Sequence, residues 1–296
     1  MIVKHIRYYS DNYCYIFKTE KDPYYSLIDP GQTNAILKNI FENEILIDKV
    51  FLTHRHSDHI GKFDQFYAGL TDFYKNKLNL PNHKVQVYGG HQERFNFPHI
   101  GVCKTKFSNE VLDFENFTVE CQHVPCHTRG HVMFYVKAKV PTGQSQDLTV
   151  EDPQTCVFDR VLFSGDTLFI GGCGRFFEGE AADMAQNFKY VKSLPDDTAM
   201  FPGHDYLWSN FKYAWDTDWE NQELAKLKER SENRQELGLE LIPALLGEEK
   251  KSNVFLRFDE EGIMQKMGTN DPAVALHRLR KMKNNGNSYR KMLQSQ

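Results

Sequence analysis

Apolar positions in the first two-thirds of the chain fall in short runs at strand spacing, broken by turns and a few helical stretches. Residues 13–17, 26–29 and 49–52 read as strands. Between the last two, residues 33–43 carry Ile36, Leu37, Ile40 and Phe41 at helical spacing. Further strands are expected at 85–88, 117–120, 131–136 and 160–163. The last two each abut a loop bearing His or Asp, so ligands delivered from successive strand ends would converge at one edge of a sheet. Two polar stretches, 62–84 (with a helix inside it) and 138–159, read as surface insertions. From about Tyr206 the pattern changes to amphipathic helices, at 219–237, at 243–250 and in a last one opened by Asp271-Pro272. There Asp supplies the N-cap and Pro the first helical position. This divides the chain into residues 1–205 and a helical part, residues 206–296.

At 296 residues the chain suits one large domain, or a domain with an appendage. The formal charge is −4 with Lys and Arg scattered, whereas a nucleic-acid partner would want a basic stripe. No apolar stretch approaches bilayer-spanning length, so no membrane partner is expected. Residues 1–18 carry Lys4, His5, Arg7 and Asp11 among their apolar positions and read as a strand of the mature fold, not a secretory signal or transit peptide. Six dispersed cysteines without a CxxC pair read as reduced thiols of a cytoplasmic protein, expected to be a monomer.

Chemistry concentrates at Thr53-His54-Arg55-His56-Ser57-Asp58-His59, directly after the apolar run Val50-Phe51-Leu52. Three histidines and an aspartate so close together cannot all point one way from a strand or a helix. On a tight loop at a strand end they diverge around adjacent centres. Imidazole nitrogen and carboxylate oxygen suit zinc, iron or manganese, and nothing in the segment is soft enough to demand copper. Three further loops look built for the same site. They are Pro125-Cys126-His127-Thr128-Arg129-Gly130-His131, Ser164-Gly165-Asp166-Thr167 and Pro202-Gly203-His204-Asp205-Tyr206. Each alone is an ordinary turn. Pooled, they supply His54, His56, Asp58, His59, His127, Asp166 and His204, enough for two metals with one carboxylate shared.

With these loops in view the chain resembles the metallo-β-lactamase superfamily and, within it, the glyoxalase II (hydroxyacylglutathione hydrolase) family. The resemblance takes in Asp11-Asn12-Tyr13, Asp29-Pro30, the 53–59 loop, Tyr88-Gly89-Gly90 and the 125–131 segment. It continues through Gly165-Asp166-Thr167-Leu168-Phe169, Gly172-Cys173-Gly174-Arg175-Phe176, Gly203-His204-Asp205-Tyr206 and the tail through Arg280 and Lys283. The first loop marks the superfamily; the Gly-Cys-Gly block and the tail mark glyoxalase II. The resemblance implies an αββα sandwich over roughly 1–205, an α/β fold, closed by a helical C-terminal domain. It implies that His54, His56 and His127 hold one divalent metal, that Asp58, His59 and His204 hold a second, and that Asp166 bridges both. Zinc is the first expectation, with iron and manganese also fitting. It further implies that glutathione meets Arg175, Phe177, Tyr206, Arg280 and Lys283. Arg175 stands where the family commonly has Lys, which keeps the charge. Phe177 stands where it commonly has Tyr, which loses a hydroxyl.

The implied reaction is hydrolysis of glutathione thioesters, S-D-lactoylglutathione giving D-lactate and glutathione. A water acidified between the two metals would attack the carbonyl, with Asp58 and Asp166 as catalytic carboxylates. Three rivals are a single-iron glutathione persulfide dioxygenase, a lactonase, β-lactamase or nuclease of the same fold, and a non-enzymatic binding protein. His5, His83, His91, His99, His123, His131 and His277 read as structural. His131, four positions after His127, is the nearest to a supporting role. Cys126 and Cys173 read as small core residues.

Overall fold

Successive side chains of a strand leave on opposite faces, and residues 13–17 show the consequence. Tyr13, Tyr15 and Phe17 enter a core that contains both faces of a sandwich, whereas Cys14 and Ile16 enter a separate core under helices. Phe51 likewise faces the first core, and Val50 and Leu52 the second. The computed structural model describes residues 1–93, 95, 102–105, 110–143 and 156–294. Of the sequence expectations, His99, the side chain of Cys103 and most of the 138–159 stretch lie outside the described residues.

One six-stranded sheet runs in the order β1 (Ile2–Tyr8), β2 (Asn12–Lys18), β3 (Tyr25–Ile28), β4 (Ile47–Leu52), β5 (Gln86–Gly90), β6 (Val102–Thr105). Then come β7 (Glu110–Asp113), β8 (Phe117–His123), β9 (Val132–Ala138) and β10 (Arg160–Gly165). A small hairpin of β11 (Leu168–Phe169) and β12 (Gly172–Cys173) follows, and then β13 (Ala199–Pro202) and β14 (Ala244–Leu245). The second sheet has the order β14-β13-β10-β9-β8-β7. Aromatic pairs close the gap between the sheets: Phe17 to Phe163 at 5.0 Å and Phe51 to Phe134 at 5.1 Å between ring centroids. Among the helices are α1 (Thr33–Glu42), the single turn α2 (Ser57–Ile60), α3 (Phe63–Asn76) and α4 (Ala181–Ser193). The tail carries α5 (Leu207–Thr217), α6 (Gln222–Glu236), α7 (Leu246–Ser252), α8 (Glu261–Lys266), α9 (Pro272–Asn284) and α10 (Tyr289–Gln294). α1 and α3 cover the first sheet, α4 packs in the core of the second, and the whole is an αββα sandwich with a helical C-terminal region.

Three expectations change. Residues 1–18 are not one strand: β1 and β2 pair antiparallel from Ile2–Lys18 to Tyr8–Asn12, and the turn between them places Tyr9 at φ 49°. The 62–84 stretch is not a surface insertion. Its helix α3 buries Phe63, Phe66, Leu70 and Tyr74 along one face, at spacings of three and four residues, and forms a layer of the sandwich. The tail is not purely helical, because β14 pairs with β13 (Ala199 with Leu245, Met200 with Ala244). The last long helix does start as its residues imply: the Asp271 side chain accepts from the N–H groups of Ala273 and Val274, with Pro272 at the first position. Among the described residues no helix is long and apolar enough to cross a membrane.

Candidate active site

Parallel pairing decides where the ligand-bearing loops meet. β4 runs parallel to β3 and β5, and β13 parallel to β10, so the loops that follow them open on one edge. Backbone bonds then join the loops: Val132 N–H donates to Thr53 O at 2.9 Å, and Gly203 N–H to Gly165 O at 3.0 Å. Gly203 is glycine for a steric reason, since a Cβ there would lie 2.6 Å from Asp166 Oδ1 and 2.7 Å from His59 Cε1.

Two groups of donor atoms result. In the first, His56 Nδ1 lies 3.0 Å from both His54 Nε2 and His127 Nε2. In the second, His204 Nε2 lies 3.2 Å from His59 Nε2 and 3.3 Å from Asp58 Oδ2. Asp166 spans both, with Oδ2 3.4 Å from His127 Nε2 and Oδ1 3.2 Å from His59 Nε2. His54 and His59 are fully buried, and His127, Asp166 and His204 nearly so. This arrangement fits metal ions. Four ligand nitrogens about a zinc ion stand about 3.3 Å apart along each tetrahedral edge. One ion at its centre would satisfy all three nitrogens of the first triad at once. Asp166 Oδ1 is buried without a hydrogen-bond donor, a lone pair left free for an ion.

The far nitrogens of the rings are held in turn, which fixes each tautomer and orientation. Asp29 Oδ2 lies 2.9 Å from His59 Nδ1, and Asp11 Oδ1 2.7 Å from His204 Nδ1. His54 Nδ1 meets Thr53 Oγ1 at 3.0 Å, and His127 Nδ1 meets Arg175 O at 3.1 Å. Asn12 Nδ2 donates to Asp58 Oδ2 at 3.1 Å. His131 stacks on His54 and accepts from the Asp166 N–H at 3.0 Å, so it supports the cluster from behind. Burial disfavours charge on His59 and His204, but Asp166 outweighs it. His59 is held well above the ordinary imidazole range and His204 is pushed up to about 10. Burial would lift Asp166, yet His59 and His204 keep its carboxyl well below the usual range. Burial, reinforced by His59, pushes His54 well down, and burial takes His127 down to about 4.

The cluster opens into a cavity of about 550 Å³ that His56, Asp58, His127, Asp166 and His204 line from one side. Arg175, Phe177, Tyr206, Arg280 and Lys283 line it from the other. Tyr206 stacks on His204 with ring centroids 4.7 Å apart, and the Phe177 ring lies 5.1 Å from that of His127. Arg280 is buried, donating to Cys173 O at 2.8 Å and to Asn284 Oδ1 at 3.0 Å. The Lys283 ammonium donates to Asn210 Oδ1. Burial, with Arg280 beside it, brings Lys283 down to about 7. Among the described residues none of these three cations pairs with a carboxylate. Ten of the twelve residues singled out from the sequence thus line one cavity, and the buried His54 and His59 stand behind it in the two donor groups. Sequence reasoning missed the roles of Asp11, Asn12 and Asp29, quoted only as marks of a resemblance, and of Asn210 altogether. Asp29 alone carried a backbone signal, a left-handed φ of 50°, which shows only in three dimensions. Elsewhere, His83 Nε2 meets Ile47 O at 2.7 Å and His123 Nε2 meets Arg129 O at 2.7 Å. His91 and His277 are exposed.

The fold is that of the metallo-β-lactamases. A metallo-β-lactamase from Staphylococcus aureus superposes with a TM-score of 0.55 at 18% identity, over 95% of this chain and 71% of that one. ETHE1 from Myxococcus xanthus gives 0.53 at 19%, over 97% and 100%. Sequence narrows the class. Residues 205–286 match the family model for the hydroxyacylglutathione hydrolase C-terminus. A hydroxyacylglutathione hydrolase from Trichormus variabilis is 31% identical over 93% of this chain and 95% of its own length. A probable hydroxyacylglutathione hydrolase from Schizosaccharomyces pombe is 31% identical over 93% of each. The chain belongs to the hydroxyacylglutathione hydrolase, or glyoxalase II, family.

Proposed function

We propose that this chain hydrolyses S-D-lactoylglutathione to D-lactate and glutathione with two divalent ions in its centre. His54, His56 and His127 hold one ion, Asp58, His59 and His204 the other, and Asp166 bridges them. Zinc is the proposed occupant, and iron or manganese accept the same ligands. When bound, the ions acidify a water and set positive charge beside the thioester carbonyl. The observation that carries the substrate assignment is the pairing of that ligand cluster with Arg175, Arg280 and Lys283, three cations without carboxylate partners across one cavity. Glutathione brings two carboxylates, which such cations hold by charge-assisted hydrogen bonds.

Burial would lift Asp58, but its hydrogen bond with His204 keeps it ionised, so it orients the attacking water and donates no proton. The water gives up one proton to solvent as it is activated, its oxygen bonds to the carbonyl carbon, the C–S bond breaks with the electron pair leaving on sulfur, and the product acid releases the second proton as it ionises. Thiols titrate near 8.5, so the leaving thiolate needs no general acid. Tyr206 and Phe177 border the cavity beside the ligands, and Tyr206 fixes His204 by stacking. Residues 1–205 are proposed as the catalytic part and 206–296 as the substrate-binding part, with β14 tying the second into the sheet of the first. A monomer in the cytoplasm is proposed; the buried free thiols of Cys14, Cys121, Cys126, Cys156 and Cys173 are in keeping with a reducing compartment. The match over residues 205–286 favours this reading over the persulfide dioxygenase. Purified protein, with metal content measured on the same sample, is expected to cleave S-D-lactoylglutathione. Failure to cleave it when metal-replete, or oxygen uptake with glutathione persulfide, would overturn the assignment.

A further inference from the structure

Arg55 lies between two proposed ligands, His54 and His56, yet it does not line the cavity. Its guanidinium joins two carboxylates. Nη1 donates to Glu93 Oε2 at 3.0 Å and Nη2 donates to Glu178 Oε1. Glu93, in the single turn of 3-10 helix that follows β5, is 1% exposed. Its Oε2 also accepts from the Arg55 N–H at 3.1 Å, and its Oε1 accepts from the hydroxyl of Thr128, the neighbour of ligand His127. Both oxygens are therefore engaged on the two ligand loops. Glu178 completes the triangle: its Oε2 accepts from the Arg129 N–H at 2.8 Å. The N–H groups of Glu178 and Gly179 both donate to Cys126 O at 3.0 Å. Backbones press together where the carboxylate reaches across. A Cβ on Gly130 would lie 2.2 Å from Glu93 N, and one on Gly90 2.0 Å from Gly130 O.

We propose that Arg55, held by Glu93 and Glu178, is a positioning residue that sets the spacing of His54 and His56 to His127, and so tightens the first metal position selectively. The second position has its own supports in Asp11 behind His204 and Asn12 on Asp58, while Asp29 backs His59 directly and reaches His54 only through Thr53; among the described residues none of the three bonds to Arg55, Glu93 or Glu178. A buried carboxylate that bonds both loops ties them into one frame, and partners that orient metal ligands typically govern metal affinity by about 10- to 100-fold.

This inference rests on the two-metal reading of the site, and its test needs no substrate. Zn²⁺ affinity is measured by competition with a chromophoric chelator, in the His59→Ala background for the first position and the His56→Ala background for the second. Glu93→Gln and Arg55→Lys are expected to weaken Zn²⁺ by about 10- to 100-fold in the first background and by less than about twofold in the second. In the otherwise native chain, Glu93→Gln is expected to keep one equivalent of zinc through dialysis against chelator under conditions where the native protein keeps two. Unchanged affinity in the His59→Ala background, or equal weakening in both, overturns the clamp. A protein that binds zinc in this pattern but does not cleave the thioester would overturn the hydrolase assignment and leave the clamp standing.

Discussion

The two walls of the cavity handle charge in opposite ways. On the metal wall every charge has a partner: Asp166 faces His59 and His204, Asp29 backs His59, and Asp11 backs His204. On the helical wall Arg280, buried, and Lys283, half-buried, are three residues apart on α9, and among the described residues their hydrogen bonds go to neutral oxygens of Cys173, Asn284 and Asn210. Asn210 itself donates to Ile170 O at 2.9 Å, so the turn between β11 and β12 helps to hold Lys283. A neutralised wall is built to stay rigid and hold an ion in one geometry. An uncompensated wall favours the approach of an anion, because like charges set side by side raise each other's cost. The contrast also explains why the helical segment must be part of the sandwich: β14 anchors it in the sheet.

The strongest attack on this contrast removes the carboxylate that both ligand groups share. Asp166→Ala is expected to deplete both ions, seen by elemental analysis, and to lower kcat by about 10³-fold or more, as loss of several kcal/mol of charge stabilisation requires. A near-normal kcat would place the bridge elsewhere. On the other wall, Arg280→Ala with Lys283→Ala should raise KM about 10- to 100-fold with kcat little changed, since these groups lie away from the reacting carbonyl. An unchanged KM for the glutathione thioester would reduce α9 to packing.

The shifted Lys283 gives a finer probe. It is cationic below about 7 and neutral above, so carboxylate binding weakens as the pH rises through that value. KM is expected to rise about tenfold between about pH 6 and pH 8.5, the difference between a charged and a neutral hydrogen bond. Lys283→Arg, which stays charged, should flatten the profile; a slope that survives in that variant assigns the titration to another group. The smallest effect is expected at Phe177, whose ring edges the cavity at 59% exposure. Phe177→Tyr supplies a hydroxyl at the rim and should lower KM by about two- to fivefold, in line with one exposed neutral hydrogen bond. A larger gain would mean that the ring sits deeper against the substrate than its exposure suggests.

Local pattern was readable where neighbours along the chain share one element. Tyr13, Tyr15 and Phe17 alternate with Cys14 and Ile16, Asp271-Pro272 opens α9, and the ligands of the 53–59 loop stand within a few positions of one another. The α3 stretch was misjudged because Asp64, Gln65, Thr71, Asp72 and Lys75 dominate its average, while the stripe of Phe63, Phe66, Leu70 and Tyr74 is visible only once a face is chosen. The two-residue strand β14 is too short to carry any periodicity, and its partner β13 supplies the reason it exists.

The chain by itself marked the candidate residues, since imidazole and carboxylate groups crowded on turns after apolar runs suit metal binding. Tertiary structure decided what holds them and what they leave unpaired. His204 and Asp11 are 193 positions apart, Arg55 and Glu178 123, and Arg280 and Cys173 107. No spacing rule spans such distances. Sheet order and parallel register bring these residues into contact, and burial then turns the contacts into rigid ligands on one wall and unmatched cations on the other.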